Sequence, residues 1–383
     1  MMVPLRVLHI ITRLDVGGST ENTLLSVTRM PRDEFVSSLV SGRTVEPPPG
    51  MAEELARAEV PWIHLTRLRR PVHPLLDCLA LRDLGRAIRS LRPDLVHTHS
   101  SKAGFLGRLA ARRARVPRIV HTPHGHVFHG YFAGPATRLF IALERIAAPW
   151  TDRIITLSDA EAQDHLRRGI GAPAQFVTIP SGVDLAPVVT ARPTPLVSGG
   201  PVVTAVARLV PVKGFHYLVD AAPEVLRRCP QARFLIVGDG EMRPVLEGRA
   251  RAAGLTDRIT FTGFREDVAS VMAAADLVVL PSINEGMGRV LVMAMALGKP
   301  IVATRVGGVA ELLGEGKAGI LVPARDAGAL AHAIYSLLLD RSRAQALGEA
   351  GRRRAPQYSA EAMLEALAAL YRDVLTDGRR PRR

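Results

Sequence analysis

The chain has 383 residues, 47% hydrophobic and 22% charged, which excludes a disordered or fibrous protein and exceeds what one typical core serves. It contains no run of 18 apolar residues, so no membrane-spanning helix is expected. The net charge of +14 is nearly all arginine, and aromatic residues, at 4%, are not interleaved with it, so a stacking platform for single-stranded nucleic acid is not expected.

Residues 5–11, LRVLHII, read as a buried first strand rather than a signal peptide. Gly17 and Gly18 then open a helix, a turn that lets a ligand reach backbone N–H groups; a plain tight turn is the alternative. A strand near 35–40, a helix at 51–59, a strand at 60–65 and a helix from Leu75 to Leu91 follow. The strand DLVHTH (94–99) puts His97 and His99 on one side, since strand side chains alternate. Ser100 or Ser101 caps the next helix, and Lys102 at its start suits an anionic acceptor. Arg108, Arg112 and Arg115 have the spacing of one helical face, which would suit an acidic membrane surface; a compositional excess of arginine is the alternative. The strand RIVHT (118–122) leads into PHGHVFHGYF, where His121, His124, His126 and His129 crowd together. No Cys, Asp or Glu joins them at zinc-site spacing, so no metal is expected. A helix at 135–148, a strand at 152–158 and a helix from Ser158–Asp159 to Arg168 precede FVTIPSGVD (176–184). A Pro- and Gly-rich linker spans 185–200.

The second half repeats the opening grammar. VVTAVARLVPVKGF (202–215) is strand, loop and glycine, with Arg208 and Lys213 flanking a helix start. Two cations there form a diphosphate clamp, or two solvated surface charges. Gly238, in the turn after strand 232–237, could border a nucleotide, and Gly263, near the end of strand 258–264, could frame its base; a structural turn is the equal alternative for the latter. The stretch 275–304 reads as strand, loop, all-apolar helix and strand. Its loop carries Ser282, Glu285, Gly286 and Gly288. Glu285 suits ligand hydroxyls and the glycines leave helix N–H groups bare for an anion; a helix-capping Glu is the alternative. The last helix, about 359–376, is amphipathic.

Glu285, the Gly298–Pro300 pair and Gly307–Gly308 resemble the donor-site signature of retaining glycosyltransferases of family 4. The family's second Glu, which holds the ribose, would fall at 293, where this chain has Met293. The resemblance implies an α/β GT-B fold of two Rossmann-like domains facing a cleft. Residues 1–188 would be the acceptor-side domain, joined by a crossing helix and tail at 359–383, and residues 200–357 the nucleotide-sugar domain. It also implies donor-diphosphate binding by Arg208 and Lys213. One loop histidine, His124 or His126, would contact the donor sugar. The acceptor would lie near His97, Ser100 and Lys102, and the Gly17–Gly18 loop near donor phosphate. The expected reaction is metal-independent, cofactor-free retaining transfer from a nucleotide-diphosphate sugar to a glycan or lipid-linked acceptor. The expected setting is cytoplasmic, peripheral at the inner membrane face, with no nucleic-acid partner. An epimerase or phosphorylase of the same fold, a nicotinamide-dependent dehydrogenase and a non-catalytic relative are the competing readings.

Overall fold

The computed structural model describes residues 4–125 and 134–376. The chain forms two compact units. One runs to Gly182 and resumes at Ala360; the other is Val183–Ser359.

The first unit is built on a parallel sheet of β1 (Leu5–Ile11), β2 (Phe35–Gly42), β3 (Trp62–Leu65), β4 (Leu95–His99), β5 (Arg118–Thr122), β6 (Arg153–Thr156) and β7 (Phe176–Thr178). Their order is β3-β2-β1-β4-β5-β6-β7. The central strands are buried along most of their length because helices cover both faces. On one face Leu8, Ile10 and Val96 pack with Leu84 and Ile88 of helix Pro74–Leu91 and Ala103 and Ala110 of helix Ser101–Arg113. On the other, Val7, Leu95, Val120 and Ile155 pack with Met363, Leu367 and Tyr371 of helix Ala360–Thr376. That helix is also tied at its end, where Arg118 Nε donates to the Val374 carbonyl at 2.5 Å. Its amphipathic pattern thus has a physical cause, a face buried on β1, β4 and β5.

The second unit carries β8 (Val202–Val206), β9 (Arg233–Val237), β10 (Ile259–Gly263), β11 (Leu277–Leu280), β12 (Ile301–Thr304) and β13 (Ile320–Val322), ordered β10-β9-β8-β11-β12-β13 and parallel throughout. Helices Phe215–Arg228 and Ala327–Leu339 pack on one face through Leu218, Val225, Leu330 and Ile334. The stretch read as a linker is not loose: Thr194 N–H donates to the Ser270 carbonyl at 2.9 Å, and Leu196 and Val197 pack on Leu235 and Val237.

The arginine stripe expected on the fourth helix is corrected by the structure. Arg108 is fully buried, with Nη2 2.8 and 2.7 Å from the two carboxylate oxygens of Glu144. Arg115 lies beyond the helix end with φ +57°. A guanidinium satisfied internally and another off the helix leave no shared basic face. Among the described residues no helix is long and apolar enough to cross a membrane.

Candidate functional site

Each sheet reverses its winding once, between β1 and β4 and between β8 and β11. Open parallel sheets hold ligands outside the carboxyl ends of their strands at such a point. Residues singled out from the sequence follow all four of these strands.

In the second unit the loops after β8 and β11 interlock. Gly214, φ +65°, begins helix Phe215–Arg228, and a Cβ there would stand 2.1 Å from the Pro281 carbonyl oxygen. Only glycine lets the loops meet so closely. Ile283 N–H donates to the Val212 carbonyl at 2.8 Å. Between them Lys213 Nζ donates to Glu285 Oε2 at 2.5 Å, and Ser282 Oγ donates to the same oxygen at 3.2 Å. The Lys213 and Glu285 side chains are 19% and 13% exposed, shielded enough for the charges to count yet open to a ligand. Thr304 Oγ1 fixes the loop from below by donating to the Ser282 carbonyl at 2.5 Å. Gly308 N–H donates to the Gly286 carbonyl at 2.9 Å.

Gly307, φ +51°, is the tightest point, since its Cβ would lie 1.7 Å from the Glu285 carbonyl oxygen. Gly307→Ala is expected to destabilise the second unit by about 2–3 kcal/mol, because a backbone clash at a left-handed position has nowhere to relax. Calorimetry would read the loss; an unshifted melting temperature would show the loop moves freely.

Arg208 is exposed and has no ion-pair partner among the described residues. The backbone around it is bound: Leu209 N–H donates to the Asp239 carbonyl at 2.8 Å, and Gly238 N–H to the Gly263 carbonyl at 2.9 Å. Gly238, φ +126°, admits the Ala207 carbonyl where a Cβ would lie 2.0 Å away. Arg208, Gly238 and Gly263 therefore share one edge.

In the first unit Gly17, φ +152°, precedes Gly18, the first residue of helix Gly18–Thr28. No atom lies within 4 Å of where a Gly17 Cβ would be, so a ligand has room there. Asp15 Oδ1 braces the loop by accepting from Val45 and Glu46 N–H at 2.7 and 3.1 Å. Across the winding point Ser100, φ +62°, has its Oγ 3.1 Å from Thr12 Oγ1. Lys102 is committed elsewhere, with Nζ 2.5 Å from Asp77 Oδ1 and from the Pro71 carbonyl.

The histidines are mostly interior. His97, 2% exposed, has Nδ1 2.6 Å from the Tyr371 hydroxyl and Nε2 2.7 Å from Thr122 Oγ1. It belongs to the core, so the expectation of a direct acceptor contact is corrected: its ring is enclosed and both ring nitrogens are already engaged. His99 lies between two rings, with Nε2 2.9 Å from His9 Nδ1 and Nδ1 2.8 Å from His124 Nε2. Burial pushes His9 down to about 3 and holds His97 and His99 well below the usual histidine range. Nitrogens of His9, His97 and His99 lie within 4.8 Å of one another, near enough to consider a metal. Both nitrogens of His97 and of His99 already serve hydrogen bonds, so the trio fits a polar network better than a ligand set. His126 lies outside the described residues.

The comparisons with known proteins bear on this directly. The family model described as Glycosyltransferase Family 4 matches residues 33–187, and that for glycosyl transferases group 1 matches residues 200–340. The alpha-D-kanosaminyltransferase of Streptomyces kanamyceticus is 33% identical over 302 residues, 73% of this chain and 77% of that protein. The chain belongs to the family 4 glycosyltransferases. The UDP-Gal:alpha-D-GlcNAc-diphosphoundecaprenol alpha-1,3-galactosyltransferase of Escherichia coli is 28% identical over 348 residues, 88% of this chain and 89% of that one. Among solved structures, sucrose-phosphate synthase of Thermosynechococcus elongatus is 25% identical with a TM-score of 0.80, covering 96% of this chain and 98% of that one. HepE of Anabaena, solved with UDP-glucose, matches with a TM-score of 0.78 at 24% identity, 96% and 100% covered, and shows the shared fold. The α/β GT-B architecture of two parallel-sheet halves, expected from the sequence, is thereby borne out, as is a sugar-transferring enzyme.

Met293 of the glycosyltransferase is half-buried, while Leu291, Val292, Ala294 and Met295 of helix Arg289–Ala296 are buried. It lies on the one stripe of that helix not sealed in the core. Two residues escaped the sequence reading. Glu161, fully buried, accepts Gly125 N–H at 3.1 Å and Leu157 N–H at 2.8 Å, pinning the backbone after His124. Its signal was present as Ser158-x-x-Glu161, a capping box, with Glu161 N–H donating to Ser158 Oγ at 3.2 Å. His9 gave only one polar residue in an apolar strand, and its pairing opposite His97 is a matter of sheet order.

Proposed function

We propose that this glycosyltransferase moves a sugar from a nucleoside-diphosphate sugar to a glycan or lipid-linked acceptor, with retention of configuration and without a metal ion. The observation that carries this is the Lys213–Glu285 pair, 2.5 Å apart at the winding point of the second sheet. Breaking the bond between sugar and diphosphate builds negative charge on phosphate. Lys213, Arg208 and the positive N-terminal end of helix Phe215–Arg228 meet that charge, the task a divalent cation performs elsewhere. Glu285 accepts hydroxyls of the sugar. Held by Lys213 and Ser282, its Oε2 is a poor nucleophile, so transfer on one face, with donor phosphate taking the acceptor's proton, fits better than a covalent intermediate. His124 in the first unit meets a sugar hydroxyl. The acceptor lies near Ser100 and the Gly17–Gly18 loop, and the lipid-linked substrate in the Escherichia coli relative's name supports a polyprenyl diphosphate-sugar as its class. Such an acceptor would place the enzyme against the cytoplasmic membrane face.

The test is release of nucleoside diphosphate from a panel of UDP- and GDP-sugars with a polyprenyl diphosphate-sugar, with and without chelator. Acceptor-dependent release, unchanged by chelator and giving a product of the donor's anomeric form, is expected. Inversion, or a sugar trapped covalently on Glu285, would overturn the mechanism.

Met293 supplies a second experiment. Its stripe is open enough to take a carboxylate without burying it alone. Met293→Glu is expected to tighten donor binding about 10–100-fold, the worth of one charge-assisted hydrogen bond to a ribose hydroxyl. Calorimetric titration with nucleoside diphosphate checks this. Turnover by the variant with none by the natural chain would favour a non-catalytic relative.

A further inference from the structure

His124 follows β5 with φ +60°, a conformation that residues with side chains rarely adopt and that its surroundings must enforce. Glu161 holds the next backbone N–H, as described. The ring is held separately, with Nε2 2.8 Å from Nδ1 of His99, whose own Nε2 lies 2.9 Å from Nδ1 of His9. Within each hydrogen-bonded pair the ring planes are close to parallel, at 23° and 12°. His9 and His99 are fully buried, and among the described residues Nε2 of His9 has no hydrogen-bond partner.

Each nitrogen–nitrogen contact needs one N–H and one lone pair. A string of three neutral imidazoles can therefore be protonated in two directions. Pointed inward, the string ends on a His9 Nε2–H buried with nothing to receive it. Pointed outward, it ends on a bare His9 lone pair. Orphaned buried N–H groups are rarer than unused acceptors, so the outward direction prevails. His99 Nδ1–H then donates to His124 Nε2, and valence puts the remaining His124 proton on Nδ1.

We propose that His99, backed by His9, is a positioning residue that fixes His124 as the Nδ1–H tautomer, a hydrogen-bond donor rather than a base. This rests on the reading of His124 as a sugar contact. Burial holds both interior rings far below the usual histidine range, which keeps His9 and His99 neutral in ordinary buffers.

Two measurements test it on the full chain. The first needs no substrate: ¹⁵N NMR of histidine-labelled protein, with His124→Gln used to assign the signals. A protonated Nδ1 and bare Nε2 on His124 are expected, and a tautomer mixture in His99→Leu. A protonated Nε2 in the natural protein overturns the proposal. The second is kinetic. His99→Leu is expected to lower kcat about 10–100-fold with donor KM within about threefold, the effect of a misaimed contact. His99→Asn, whose amide N–H can stand in for Nδ1–H, recovers most of it. In a His124→Ala background the leucine substitution changes kcat less than about twofold, because paired residues are not additive. An equal loss in both backgrounds marks a merely structural role and overturns the proposal. If His124→Ala alone leaves transfer untouched, the sugar-contact reading is what falls, and the spectrum still reports whether His99 sets the tautomer. Should His99→Leu not fold, the asparagine variant and the natural protein's spectrum decide.

Discussion

Lys213→Ala is expected to lower kcat/KM for the nucleotide-sugar about 10²–10³-fold, the usual consequence of removing one preorganised group from a developing charge. Two effects combine. The ammonium that meets the leaving diphosphate is gone, and Glu285, 13% exposed, keeps only Ser282 as a donor to Oε2 among the described residues. A shielded carboxylate without its cation is a poor neighbour for an anionic ligand. Lys213→Arg should recover only part of the loss, because a planar fork does not sit where a compact ammonium sits. Lys317, exposed in the same unit, is the control, and Lys317→Ala should leave kinetics unchanged. Steady-state release of nucleoside diphosphate gives the numbers. A Lys213→Ala enzyme within threefold of the natural one would remove the clamp from the mechanism.

The first unit should fail in mild acid before the second. His9, His97, His99 and His121 are all buried, and burial depresses every one of them, His9 to about 3. The unfolded chain binds protons at these sites below the ordinary value of 6.5, while the folded chain does not. Stability is thus complete above that pH and falls as pH drops from 6.5 toward the folded values. All four shifts have the same sign, so each lowers the first unit's stability as pH falls through that window. The second unit's His216 is also lowered by burial, but only partly enclosed, so its effect is smaller. Calorimetry from pH 7.5 to 5.5 should show one transition moving down much further than the other. Two transitions moving in parallel would mean the histidine network is not what acid attacks.

How much of this was legible beforehand differs by residue. The strands that frame the two winding points could be read: β1, β8 and β11 as mainly apolar runs, and β4 as the extended stretch between Pro93 and the helix opened by Ser100 or Ser101. Glu285, Lys213 and Gly307 could be named because motif spacing ties each to a loop. That Lys213 and Glu285 touch depended on β8 lying beside β11, a fact of sheet order that local pattern does not encode. Arg108 looked like surface because helical spacing says which residues share a face, not which face is buried; its partner Glu144 is a helix away. His97 was misplaced for the same reason, since its enclosure depends on Tyr371 from the far end of the chain.

That last contact has a consequence for how the protein is made. The ribosome delivers Val183–Ser359 as one uninterrupted length, so the second unit can close while synthesis continues. The first unit, though begun earlier, waits with the Val7, Leu95 and Val120 side of its sheet uncovered until Ala360–Thr376 emerges. The domain started first is completed last, and its nascent form is the one that leaves an apolar sheet face exposed longest.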